Sequence, residues 1–214
     1  MNWELATLQF VTLIISLTFH EAGHAWFALL GGDRTAYRAG QVTINPLPHI
    51  QREPFGMLVL PILWLALSRG TMCFGFAHAP YDPYWADRHP KRAALMSFAG
   101  PLANLALGAV AFSVLWFVGR PDGDTEVTVR KIGGAFLFLN LLLALFNLVP
   151  LPPLDGAGIV RGLYPPSGRL FDVISSIPYG TLVVLVLLSN YIGELFLPVF
   201  YTVDRWLPYP LVFG

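Results

Sequence analysis

The chain has 214 residues, 55% of them hydrophobic and only 12% charged, with a formal net charge of zero. Soluble domains carry about 25% charged residues, so this balance, with a mean hydropathy of +0.60, describes an integral membrane protein. No basic run or basic helix is present, which argues against a nucleic-acid partner. The single cysteine, Cys73, excludes an intrachain disulfide and a cysteine-based metal site, and reads as a small apolar core residue.

The first apolar stretch runs from Trp3 to Leu30. It has no basic leading region, only Glu4, and no small-residue cleavage site, so it is expected to stay attached as a spanning helix over about 4–30. Inside it stands His20-Glu21-Ala22-Gly23-His24. Histidines four apart share one face of a helix and can point at one metal ion, with Glu21 at the edge of that face. In this arrangement the histidines hold Zn²⁺ and the glutamate takes a proton from the attacking water. On a solvated helix the pattern recurs by chance. In a bilayer each such group costs on the order of 2.5 to 3.5 kcal/mol, so three together need a common reason, and a metal site supplies one.

The helix is expected to stop at Gly31-Gly32-Asp33. Gly40 to Ile44 alternates weakly as a short β segment before Asn45-Pro46-Leu47-Pro48 breaks it. Phe55 to Leu67 is apolar, contains Pro61, and is shorter than the roughly 20 residues of a span. With the apolar Thr71 to Ala79 it reads as a membrane-dipping, re-entrant or hairpin insertion over about 41–80. Tyr81 to Arg92 is polar and aromatic, as at a membrane interface.

A second span is expected over about 93–118, with Ala99, Gly100, Ala103 and Gly108 offering a small-residue face for another helix. Gly119 to Arg130 reads as a short charged loop, and a third span follows over about 132–149. After a turn at Tyr164 to Gly168, a C-terminal transmembrane helix is expected over about 179–200. The fold class is therefore an all-α polytopic membrane protein, in one domain over 1–214. No internal repeat appears.

A catalytic zinc takes three protein ligands and leaves a fourth position for water. Asp155 is the best candidate for the third, because it follows a span and three prolines that leave it on irregular backbone, tolerated at membrane depth only inside protein or beside a wet cavity. Its other reading is a cap for the helix Gly156 to Leu163. Three motifs in order on three apolar segments carry a resemblance: His20-Glu21-x-x-His24, Ala99-Gly100-Pro101-Leu102-x-Asn104, and Asn147-x-x-Pro150-x-Pro152-x-x-Asp155-Gly156. Together they resemble the site-2 protease family of intramembrane zinc metalloproteases, over most of Leu5 to Leu163.

The resemblance implies a three-helix metalloprotease core, one Zn²⁺ per chain held by His20, His24 and Asp155, and Glu21 as catalytic base. It also implies Asn147 near the substrate or its oxyanion, and Pro150 to Pro153 shaping the loop that presents Asp155. Asn104 has two readings, a site residue or a helix-packing hydrogen bond. The chain resembles a compact bacterial member without PDZ or CBS domain. It departs from the family pattern at His78, where lysine is expected. His49, His78 and His89 read as ordinary hydrogen-bonding histidines.

The implied activity is hydrolysis of peptide bonds within or near transmembrane segments, in regulated intramembrane proteolysis. The implied substrates are single-span membrane proteins, met in the lipid bilayer, with no nucleic acid. Intramembrane His, Glu and Asp also build ion or proton pathways, so the competing reading is a transporter or a non-proteolytic metal-binding protein. Transporters often show two related halves, and this chain shows none.

Charge sets the expected orientation. If the insertion does not cross, one face holds Arg34, Arg38, Arg52, Arg69, Arg88, Lys91, Arg92, Arg161 and Arg169, nine residues, and the other holds Arg120, Arg130, Lys131 and Arg205, four. A single crossing gives seven to six. The positive-inside rule favours the first arrangement, which puts the active site toward the cytoplasmic side of a bacterial inner membrane.

Overall fold

The structure is a computed structural model that describes residues 2–177 and 180–211, with the side chains of 180–192 left out of the description. Helix α1 (Trp3–Gly31) opens with the Asn2 side chain accepting the Leu5 N–H and closes at Gly32, whose φ of 99° is left-handed. Its last carbonyls are taken by partners from elsewhere. Trp85 Nε1 and Arg92 each donate to the Gly31 carbonyl at 3.1 Å, and the Asp33 carboxylate accepts the Asp82 N–H at 2.8 Å. The chain between Asp33 and Asp82 thus leaves and returns to one end of α1.

That excursion holds α2 (Thr35–Arg38), α3 (Pro46–Arg52), a π-helical turn (Phe55–Val59) and α4 (Leu60–Leu67). The axis bends by 110° between α3 and the segment Phe55–Leu67. In the π-helical turn the Leu60 N–H reaches the Phe55 carbonyl. The next bond of that ladder would need an N–H from Pro61, which has none. The Gly56 carbonyl is instead taken by the Phe76 N–H at 3.1 Å, so the extended return segment lies against the turn, and Leu13, Leu17 and Met57 pack the hairpin onto α1.

The expected β segment at 40–44 is absent, and among the described residues there is no strand. No second extended segment pairs with it. Its bonds are local instead: Gln41 Nε2 donates to the Pro48 carbonyl at 2.9 Å and His49 Nε2 to the Thr43 carbonyl at 2.9 Å. Asn45-Pro46, read as a break, is the start of α3, with Asn45 as N-cap and Pro46 in the first turn.

After α5 (Pro83–Arg88), α6 (Pro90–Val118) is the central helix and packs on α1, α7 and α8. Helix α7 (Asp124–Asn147) starts earlier than the charged-loop reading of 119–130 allowed. Asp124 and Glu126 lie in its first turn, where acidic groups offset the helix dipole. Among the described residues three helices, α1, α6 and α7, are long and apolar enough to cross a membrane. Next come α8 (Asp155–Leu163), α9 (Gly168–Ser176) and α10 (Gly180–Arg205). Helix α9 lies in a stretch read from sequence only as connection. Tyr179, the expected start of the last span, lies outside the described residues.

Helix α8 approaches α6 closely enough that a Cβ at Gly162 would lie 2.3 Å from the Pro90 carbonyl oxygen. Only hydrogen fits there, and this approach carries Asp155, at the other end of α8, toward α1.

Candidate metal centre

His20, Glu21 and His24 are buried on α1, and their ligand atoms lie within 4.8 Å of one another. Asp155 opens α8, but Leu154 occupies the cap position and no side-chain cap bond is made. Its carboxylate instead faces the histidines, with Oδ2 3.0 Å from His20 Nε2 and Oδ1 3.3 Å from His24 Nε2. The two Nε2 atoms are 3.0 Å apart.

The backs of both rings determine what the fronts carry. His24 Nδ1 lies 2.7 Å from the Met96 carbonyl, which can only accept, so Nδ1 bears a hydrogen and the neutral ring presents its lone pair at Nε2. His20 Nδ1 lies 2.5 Å from Asn104 Oδ1, and the Asn104 nitrogen faces the Ser16 carbonyl at 3.3 Å, so His20 also donates from Nδ1. Two imidazole Nε2 atoms and a carboxylate therefore converge, and neutral rings in this setting turn both lone pairs toward the carboxylate. Glu21 Oε2 is buried beside them with no hydrogen-bond partner. Such a convergence is repulsive unless a cation sits in it. A nitrogen, nitrogen and carboxylate donor set suits catalytic zinc.

The wall opposite is bare backbone. A Cβ at Gly100 would stand 2.3 Å from His24 Nε2 and 2.6 Å from His20 Nε2, so glycine in the Ala99-Gly100-Pro101 motif is a requirement of the two rings.

These groups line a cleft of about 550 Å³ whose walls include His78 from the insertion, Asn147 at the end of α7, Pro152 and Pro153, and Phe171 from α9. Asn147 donates one amide hydrogen to the Leu143 carbonyl at 2.9 Å. His78 sits at the cleft wall, paired with Glu53 at 2.8 Å. His49 is tied to Thr43, and His89 lies 3.1 Å from the Trp85 carbonyl and stacks on the Trp85 ring. None of these three joins the cluster. The Met96 carbonyl behind His24 has no sequence signal, because every residue has a carbonyl. Asn140 had one that went unused: a lone amide inside an apolar run asks for a partner.

The family model described as Peptidase family M50 matches residues 122–187. A relative from Bacillus subtilis (strain 168), YwhC, is 34% identical over 189 residues, which cover 86% of this chain and 81% of the relative. The chain belongs to peptidase family M50. Rip2 of Mycolicibacterium smegmatis is 34% identical over 177 residues, or 82% of this chain and 64% of that one. Both relatives carry the name putative zinc metalloprotease. MJ0392 of Methanocaldococcus jannaschii, named a zinc metalloprotease, is 25% identical over 155 residues, a third of its own length (33%). No solved structure matches the chain significantly. The M50 family model covers Asn147 and Asp155 but not the histidine motif. The match to YwhC extends the likeness over most of the chain.

Proposed function

We propose that this M50 peptidase holds one zinc ion per chain on His20, His24 and Asp155 and hydrolyses peptide bonds of membrane-embedded substrates. The observation that carries the reading is the convergence of the two imidazole Nε2 atoms and the Asp155 carboxylate, with each ring donating from Nδ1 on its far side. When bound, zinc supplies a Lewis acid for the scissile carbonyl and makes water acidic enough to lose a proton near neutral pH. Glu21 Oε2, buried and unpartnered at the same cluster, accepts that proton and returns it to the leaving amide nitrogen. Asn147, on the same cleft, holds the substrate carbonyl through its remaining amide hydrogen. Buried packing around Ala28, Trp85 and Met96 keeps lipid from that end of the site.

A spanning helix hides its carbonyls in hydrogen bonds to residues four apart, so a scissile bond is reachable only where the helix opens. Substrates are therefore single-span membrane proteins with Gly, Pro or Asn near the cleavage site. Gly lowers the cost of opening by about 1 kcal/mol and Pro by about 3 kcal/mol relative to Ala. The nine-to-four split of basic residues supports a cleft on the cytoplasmic side of a bacterial inner membrane.

The test is cleavage of co-expressed single-span proteins by wild type and by Glu21→Gln. Wild type is expected to cut, and the variant to lose roughly 10² to 10⁴-fold in rate while keeping zinc. Cleavage by Glu21→Gln near the wild-type rate would sink the mechanism. An ion-transport defect in that variant would favour the transporter reading.

A further inference from the structure

Behind His20, on the side away from the cleft, three helices share a chain of polar side chains. Ser16 on α1, Asn104 on α6 and Asn140 on α7 are each fully buried. Asn140 Nδ2 donates to the Phe136 carbonyl at 2.9 Å and to Ser16 Oγ at 2.9 Å. Asn140 Oδ1 accepts from Asn104 Nδ2 at 2.9 Å. Asn104 Oδ1 in turn faces His20 Nδ1.

The directions along this chain are dictated by chemistry. The Phe136 carbonyl can only accept, so the Asn140 amide nitrogen must point at it and the Asn140 oxygen at Asn104. Asn104 must then turn its nitrogen to Asn140 and its oxygen to His20. A reversed Asn104 would place an N–H₂ against His20 Nδ1, which would have to accept, and the ring proton would move to Nε2, where no metal binds. The other group that orients Asn104, the Ser16 carbonyl, is more distant at 3.3 Å. Asn140 is therefore the stronger determinant.

We propose that Asn140 is a positioning residue for the His20–metal contact: through Asn104 it holds the His20 imidazole with its proton on Nδ1 and its lone pair on Nε2. This rests on the reading of His20 as a zinc ligand. The competing role for a buried amide between membrane helices is packing alone, as an interhelical hydrogen bond. The two roles separate in metal affinity. A packing bond changes the stability of the metal-free protein; a positioning bond changes metal affinity and the His20 tautomer.

The experiment uses the full chain in detergent. Zinc affinity is measured by chelator competition, alongside the thermal midpoint of the metal-free protein and the ¹⁵N chemical shifts of the metal-free His20 ring. Asn140→Leu, close in volume but without an acceptor, is expected to weaken zinc binding about tenfold, as loss of an outer-shell partner does, and to shift the ring from one tautomer to a mixture. Asn140→Asp, which keeps an acceptor facing Asn104, is expected to bind zinc close to wild type. Wild-type affinity and tautomer in Asn140→Leu, with only the midpoint lowered, would overturn the proposal. If Asn140→Leu does not fold, Asn140→Ala removes the same acceptor with less bulk and is expected to weaken zinc in the same direction; wild-type affinity there overturns it equally. His20→Ala is the control, since undiminished zinc affinity in that variant refutes the ligand reading itself.

Discussion

The three-helix bundle around the candidate metal centre and the hairpin between α2 and α5 are both built from apolar segments, yet they use polar groups in opposite ways. In the bundle, Ser16, His20, Asn104 and Asn140 are bonded to one another across three helices, inside the membrane-spanning part of the fold. In the hairpin, Phe55, Ile62, Trp64 and Leu67 are exposed, and the return is fixed by few bonds, chiefly Phe76 to Gly56 and His78 to Glu53. Buried polar networks hold one geometry because every group left unpaired is costly. Apolar contact with lipid has no such directional demand. The bundle is the part held by directional bonds, and the hairpin is the part held mainly by packing.

The sharpest contrast comes from removing a metal-facing group. Asp155→Ala is expected to lose most of its zinc and all measurable hydrolysis, because only two of the three proposed ligands remain. Full zinc occupancy by metal analysis in Asp155→Ala would place the third ligand elsewhere and dissolve the bundle's claim to precision.

Gly100→Ala probes the same centre without touching a donor. Its methyl would stand 2.3 Å from His24 Nε2, so the rings must shift, with an expected drop of about 10 to 100-fold in zinc affinity and an overpacking cost of about 1 to 3 kcal/mol. Zinc titration and thermal melting read the two effects separately, and unchanged affinity would mean that the rings have more freedom than their partners imply.

The smallest effect belongs to the hairpin. His78→Gln removes a pair whose histidine side chain is 62% exposed, so the expected change in stability is under about 1 kcal/mol, with zinc content unaltered. A zinc loss in His78→Gln comparable to that of Gly100→Ala would erase the distinction between the two regions.

Legibility followed the range of the interaction that decided each feature. The spacing of His20 and His24, the apolar runs of α1 and α6, and the stop at Gly31-Gly32 are local, and all were readable. The short strand at 40–44 was misread because alternation states a preference, while a strand also needs a partner. Asn45-Pro46 was read as a break although Asn before Pro is equally a helix start. The early start of α7 was missed because its first turns are polar, and polarity was taken for a loop. The cleft contribution of α9 had no motif to announce it.

What the sequence by itself determined is the helical period: residues four apart share a face, so two imidazoles and a glutamate on one apolar helix are committed to a common site wherever that helix goes. Only the tertiary structure decided what they meet. Asp155 arrives because glycine lets α8 close onto α6, and the rings turn Nε2 toward it because the Met96 carbonyl and the Asn104 amide oxygen take the hydrogens on Nδ1. A backbone carbonyl has no letter of its own, and an asparagine's direction depends on partners from other helices, so proton placement at this centre is a property of the assembled bundle.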